Sequence, residues 1–158
     1  MPKLETHNGV KISSSRIRNL LNKGDIIGAR ECLGRDYMLS GTVVSGEKLG
    51  RKLGYPTANI KLEYDYPLDG VYLTRTVIKE KNYAGLASLG NKPTFNGSEK
   101  ILEIFILDFN EDIYSQNIEV YFLEEIRKQI KFSNEDELIK QMNEDHKYAI
   151  INSKKYGI

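Results

Sequence analysis

Apolar positions recur at helical spacing near the two ends of the chain and at strand spacing in its middle. Ser13-Ser14-Ser15 precedes Ile17, Leu20 and Leu21, which predicts a capped helix. Lys23-Gly24-Asp25 ends that helix and caps a second one, whose apolar side is Ile26, Ala29 and Leu33 and whose stop is Gly34. Arg30 and Glu31 would point outward. Tyr37 to Val44, with Leu39, Thr42, Val43 and Val44, reads as a strand. Val71 to Ile78 leads through Glu80-Lys81-Asn82 into Tyr83 to Leu89, a hairpin pattern. In the strand Ile101 to Phe109, alternation assigns Glu103 and Phe105 to one face and Leu102, Ile104 and Ile106 to the other. Ile118, Val120 and Phe122 alternate in a further strand, Ile118 to Ile126. Ser133, with Asp136 after it, is placed to cap a last helix carrying Leu138, Ile139, Met142 and His146. Its first turn holds Glu135, Asp136 and Glu137, where the helix dipole favours anions. Short strands divided by turn signals predict an antiparallel barrel or sandwich.

Composition narrows the classes. The 158 residues are 40% hydrophobic and 28% charged, enough for one domain with a proper core and not a disordered chain. The net charge of +1 supplies no field to draw the chain onto nucleic acid or an anionic membrane. No apolar run nears the ~20 residues that span a bilayer. Met1 to Thr6 has no apolar signal core, so a cytoplasmic setting is expected. The single Cys32 reads as a small buried hydrophobe, and one cysteine with two histidines builds no zinc finger. His7 and His146 lack a carboxylate, serine or cysteine partner at an informative spacing and read as structural or surface residues.

Chemistry concentrates in the segment from Gly46 to Asn59. Gly46, Gly50 and Gly54 let backbone approach a ligand closely, and Lys48, Arg51 and Lys52 add positive charge. The spacing is not that of a Walker A loop, and Pro56 argues against an immediately following helix. Two readings stand: a flexible basic hairpin loop, or a phosphate cradle. Pro56-Thr57-Ala58-Asn59 favours the second, because the Thr57 hydroxyl and the Asn59 carbonyl are hard ligands suited to Mg²⁺. Glu103 interrupts an apolar run. It is either a general base in a partly dry pocket or an outward-facing strand residue, and alternation alone favours the latter. Arg127, at a strand end, reads by itself as a solvated charge.

Several separated motifs then resemble riboflavin kinase: Val43-Val44 with the glycine-rich loop and Pro56-Thr57-Ala58-Asn59, Asp69-Gly70-Val71-Tyr72, Leu89-Gly90-Asn91-Lys92-Pro93-Thr94-Phe95, Leu102 to Phe109, and Arg127 with Phe132 and the acidic last helix. They run in the family's order from about Tyr37 to about Ala149. Ile12 to Arg18 resembles the late phosphate-binding motif of the adenylyltransferase half of bacterial bifunctional FAD synthetase. The nucleotide-binding sheet and early histidine motif of that half have no counterpart before Ile12. Lys92, Ser15, Gln129 and Ser45 depart from the residues usual at their places.

The resemblance implies a mainly β fold: a six-stranded antiparallel Greek-key barrel, a C-terminal helix and two short N-terminal helices. It divides the chain into an adenylyltransferase remnant, 1–35, and a kinase barrel with its helix, 36–158. It implies ATP-dependent phosphorylation of riboflavin to FMN, with no FAD synthesis expected from these residues alone. Glu103 would be the base, and Thr57 and Asn59 would bind Mg²⁺ and phosphate oxygens. Gly46, Gly50, Arg51 and Gly54 would close over the nucleotide, and Arg127 would help enclose the flavin. The alternatives are a non-catalytic flavin-binding barrel or an assembly module of a FAD synthetase. Product formation with ATP separates them.

Overall fold

Six antiparallel strands close into a barrel in the computed structural model, which describes residues 6–7, 10–11, 13–44, 57–62, 64–94 and 97–158. A two-residue pair, β1 (Thr6–His7) and β2 (Val10–Lys11), precedes helices α1 (Ser14–Asn22) and α2 (Ile26–Leu33). The barrel strands are β3 (Tyr37–Val44), β4 (Ala58–Lys61), β5 (Gly70–Ile78), β6 (Lys81–Thr94), β7 (Gly97–Ile106) and β8 (Asn117–Arg127). Helix α3 (Glu135–Asn152) and a 3₁₀ turn (Ser153–Tyr156) end the chain. Around the barrel the order is β3-β4-β7-β6-β5-β8. Consecutive strands pair in β3–β4 and in β5–β6–β7, while β4–β7, β5–β8 and β3–β8 are longer crossings that close the wall, so no barrel edge stays open.

The local chemistry explains the helices. The Ser13 hydroxyl accepts from the Arg16 N–H, and the Asp25 carboxylate accepts from the Gly28 N–H at 2.9 Å. Gly34 ends α2 in the left-handed conformation that glycine adopts without a side-chain clash. Cys32 is buried, as a small hydrophobe would be.

Two apolar layers share one wall. Inside the barrel, Leu39, Ile60, Tyr72, Leu102, Ile104, Val120 and Phe122 form the main core. Tyr72 and Phe122 meet edge to face at 5.3 Å. Leu21, Ile26 and Ala29 belong to the same cluster, so the N-terminal helices pack into the barrel core. Outside the wall, Val71, Leu73, Leu86 and Leu123 pack with Ala149 of α3. That double coverage is why Val71, Tyr72, Leu73 and Thr74 of β5 are all buried.

Several boundaries differ from the sequence expectation; β6 runs on to Thr94 and β7 begins at Gly97, so this hairpin is longer than Tyr83 to Leu89 and Ile101 to Phe109 suggest. The β5–β6 turn is Lys79-Glu80, both at positive φ, with Ile78 paired to Lys81; the chain reverses one residue earlier than Glu80-Lys81-Asn82 suggests. Strand β7 stops at Ile106 rather than Phe109, because Leu107 turns its N–H onto Ala84 and Asp108 takes a positive φ. The cap of α3 is Asn134, not Ser133. Its side chain accepts from the Glu137 N–H at 2.9 Å, and Glu137 reaches back to the Ser133 N–H at 3.0 Å. Strand β4 lies where only a motif was expected: four residues show too short a pattern to register as alternation.

Glu124 fastens the C-terminus to the wall. Tyr148 and Tyr156 donate to its two carboxylate oxygens, and Lys155 stands 3.5 Å away. Burial pushes this carboxyl up, but the two phenols and Lys155 together hold it below the usual range. In return, the hydrogen bond to Glu124 raises Tyr148 to about 12, and burial with that carboxylate raises Tyr156 to about 12.

The sign follows for each group. The lowered carboxyl contributes stability above its unfolded pKa and loses it as pH falls through the folded value. The raised phenols contribute fully below 10 and lose their contribution as pH rises through about 12. Thermal melts of Tyr148→Phe/Tyr156→Phe should show a smaller drop in Tm than the parent across that alkaline interval. An equal drop in both proteins would remove the phenols from the linkage.

Candidate active site

Residues directly opposite in antiparallel strands project from the same face. In this barrel one such row crosses all six strands. Val44 opposes Asn59, Asn59 opposes Glu103, Glu103 opposes Ser88, Ser88 opposes Val71, and Val71 opposes Arg127. Val71 belongs to the outer apolar layer, so the row lies on the outside of the wall, beside α3. The alternation expected for β7 holds: Leu102, Ile104 and Ile106 are buried inward, while Glu103 and Phe105 are half-buried on the outer face. Phe105 meets His146 of α3 edge to face at 5.5 Å.

Three of the expected site residues, Asn59, Glu103 and Arg127, thus stand in one row. Asn59 is only 6% exposed, and Thr57 is half-buried immediately before β4. Gly46, Gly50, Arg51 and Gly54 lie outside the described residues. Among the described residues no three His, Cys, Asp or Glu side chains cluster as a metal cage. The oxygens of Thr57 and Asn59 fit a hard cation of the Mg²⁺ type, which takes few protein ligands when phosphates complete its shell.

Arg127 is not the solvated charge that its position alone suggested. Its Nε donates to Asp145 of α3 at 3.1 Å, and its Nη2 donates to the same carboxylate at 2.9 Å. Gln141 adds a bond to Asp145 at 3.0 Å, and Nη1 reaches the Lys128 carbonyl at 3.2 Å. The guanidinium lies 5.9 Å from the Phe132 ring centroid. The pair is largely sheltered, at 16% and 6% side-chain exposure, so it is more than a surface ion pair.

Two irregularities in β8 aim these groups. Its register against β5 slips between Leu73 and Thr74 and again between Val71 and Tyr72. Glu124 and Arg127, three residues apart, therefore both meet the C-terminal layer while Phe122 stays inside the barrel. Gly70 fits the close approach of this strand end: a Cβ there would lie 2.6 Å from the Arg127 carbonyl oxygen.

Asp145 and Ser88 were not singled out from sequence for this site, and Gln129 was noted only as a departure from the residue usual at its place. For Asp145 a signal existed. It is a buried acid in the inward series Leu138, Met142, Asp145 and Ala149 of α3. Gln129 donates through Nε2 to Ser88 Oγ at 2.9 Å, to the Leu89 carbonyl at 3.1 Å and to the Gly70 carbonyl at 3.3 Å. No spacing rule reveals a loop amide that bridges two strands.

A closed six-stranded barrel with a polar row under a C-terminal helix defines the class, and comparison with known proteins defines the family. The family model described as "Flavokinase: Riboflavin kinase" matches residues 33–151. The chain belongs to the riboflavin kinase family. The bifunctional riboflavin kinase/FMN adenylyltransferase of Haemophilus influenzae is 41% identical over 137 residues, covering 85% of this chain and 44% of that protein. The Bacillus subtilis protein of the same description is 37% identical over 150 residues, covering 92% of this chain and 48% of that protein. The chain spans about half the length of the curated relatives it matches.

Among solved structures, riboflavin kinase from Trypanosoma brucei aligns with TM-score 0.53 and 25% identity, over 75% of this chain and 80% of that one. A Streptococcus pneumoniae structure described as a macrolide-efflux protein aligns with TM-score 0.84 and 38% identity, over 92% of this chain and 49% of that one. Among the described residues no helix is long and apolar enough to cross a membrane.

Asp145→Ala would leave a sheltered guanidinium without its counter-charge. Removing one partner of such a pair costs on the order of 3 kcal/mol. Urea unfolding should show a loss of that size, and a loss below ~0.5 kcal/mol would class the pair as surface-like.

Proposed function

We propose that this chain transfers the γ-phosphoryl group of ATP to the terminal ribityl hydroxyl of riboflavin, giving FMN and ADP. The observation that carries it is the outer row in which Asn59, Glu103 and Arg127 line up, on a chain of the riboflavin kinase family. Phosphoryl transfer asks the protein mainly for positioning and charge neutralisation. A row fixed by backbone pairing supplies the first with little reorganisation.

In this reading Glu103 takes the proton of the attacking hydroxyl. The hydroxyl oxygen forms the new bond to the γ-phosphorus, and the bond from that phosphorus to the bridging oxygen of ADP breaks. Thr57 and Asn59 would hold Mg²⁺, whose charge, when it is bound, offsets that of the phosphates. Gly46, Gly50, Arg51 and Gly54 would enclose the nucleotide phosphates. Arg127 contributes from the far end of the row, where its bond to Asp145 fixes α3 and the segment to Phe132 beside the flavin. The outer apolar layer limits water at the reacting atoms, which disfavours wasteful ATP hydrolysis.

Incubating the purified chain with riboflavin, ATP and Mg²⁺ should give FMN by chromatography, whereas FMN supplied with ATP should not become FAD. Flavin retained without phosphorylation would favour the binding-barrel alternative. Glu103→Gln keeps the shape but removes the base, so kcat should fall by about 10²–10⁴-fold with riboflavin affinity little changed. Parental turnover in that variant would exclude Glu103 as the base. Asn59→Ala deletes an oxygen ligand and should weaken Mg-ATP binding more than riboflavin binding in calorimetry. Equal metal dependence in parent and variant would take Asn59 out of the site.

A further inference from the structure

Strand β8 leaves the barrel with its side chains turned to two helical layers. Glu124 opposes Leu73 and Arg127 opposes Val71, both on the outer face that α3 covers. Glu125 opposes Tyr72, which lies in the inner core with Leu21, Ile26 and Ala29 of the N-terminal helices. The Glu125 carboxylate accordingly meets the turn between α1 and α2. A Cβ on Gly24 would lie 1.5 Å from its Oε2, and Gly24 stands at φ +80°, so only glycine lets the turn come this close. That Oε2 is buried, and among the described residues no hydrogen bond reaches it. The Lys128 ammonium, 3.4 Å away, is its counter-charge.

Lys128 is held at both ends. Its ammonium donates to the carbonyl of Asn22 at 3.1 Å, the last residue of α1, where the free carbonyls of a helix favour a cation. Its own carbonyl accepts from Arg127 Nη1 at 3.2 Å. To one side Arg127 is bound to Asp145 of α3, and to the other Gln129 is bound to the Gly70 and Leu89 carbonyls of β5 and β6. Three successive side chains thus fasten the exit of β8 to three parts of the fold. The Lys128 bond is the one that reaches the N-terminal helices. The family match begins at residue 33, where α2 ends, so this attachment lies beyond it.

Resting on the reading that the segment from Arg127 to Phe132 lies beside riboflavin, we propose that Lys128 is a positioning residue: its clasp on Asn22 and Glu125 seats that segment against the N-terminal helices, so that riboflavin affinity depends on how those helices are docked. Thr57 and Asn59, which would hold the metal of Mg-ATP, take part in none of these bonds, so the effect falls on the flavin side alone.

The test uses the full chain, with riboflavin affinity read by titration of its fluorescence and turnover read by FMN formation. Lys128→Met keeps the apolar stem but removes the donor and its charge. It should weaken riboflavin binding and raise its KM roughly five-fold, the size of one ordinary hydrogen bond, with kcat and the KM for ATP near parental. Lys128→Arg, which restores charge and donors, should recover most of that affinity. Adding Glu125→Gln to Lys128→Met should recover thermal stability, since no uncompensated charge is left, while riboflavin affinity stays low because the bond to Asn22 is still missing. Parental riboflavin affinity in Lys128→Met, with or without a lower melting temperature, would overturn this inference and leave the kinase reading in place. Equal rises in both KM values would do the same. Return of riboflavin affinity in the double variant would assign the effect to the Glu125 charge and overturn the clasp. Absence of FMN from the parent chain would overturn the kinase reading, and this inference with it.

Discussion

Antiparallel register is the constraint from which the rest of this structure follows. Once Asn59 pairs with Glu103, and Glu103 with Ser88, every neighbour on the outer face is determined by the period of two along each strand. A slip of one residue in β7 would exchange Glu103 for Leu102 or Ile104 and turn the acid into the apolar barrel interior. The cost of burying that charge, and of exposing the residues displaced, enforces the register. The inner core and the outer polar row are thus two consequences of one pairing.

The outer face is held by polar fastenings of different kinds. Arg127 and Asp145 form a sheltered, multiply bonded ion pair with Gln141 in support. Glu124 receives two phenols and a lysine. Both act between β8 and the C-terminal layer, and both depend on slips in register that bring residues three apart to one side. Apolar contact through Leu73, Leu86, Leu123 and Ala149 supplies non-directional attraction, and the polar pairs select one seating of the helix among those it would allow.

Much of this was legible in the sequence because much of it is periodic. Strand β3 begins and ends where its pattern does, the inward and outward sets of β7 were readable by alternation, and Ser13, Asp25 and Gly34 announce the helix ends. Glu103 was visible as an acid in an apolar run, but only the family motifs lifted it above a solvated strand residue. The β8 slips were not legible, since residues 118–126 look regular and the irregularity arises from the fit to β5. The fate of Arg127 was hidden for a related reason. Its partner is 18 positions away on another element, and no local rule joins a strand end to one face of a later helix. The cap of α3 was misplaced by one residue because Ser133 and Asn134 are both good cap formers and the reach of Glu137 decides between them.

The crossing that joins β3 to β8 has a bearing on how the chain acquires its shape. The hairpins β5–β6 and β6–β7 link neighbours in sequence, whereas Tyr37 meets Phe122 and Thr42 meets Asn117 across most of the chain. Contacts between distant segments are entropically late, because the intervening chain must be confined before they return any energy. Val44 and Arg127 stand at opposite ends of the row, on the two strands that this final seam unites. A half-zipped barrel would therefore carry the middle of the row without its ends. Complete assembly of that face is a checkpoint on the whole topology.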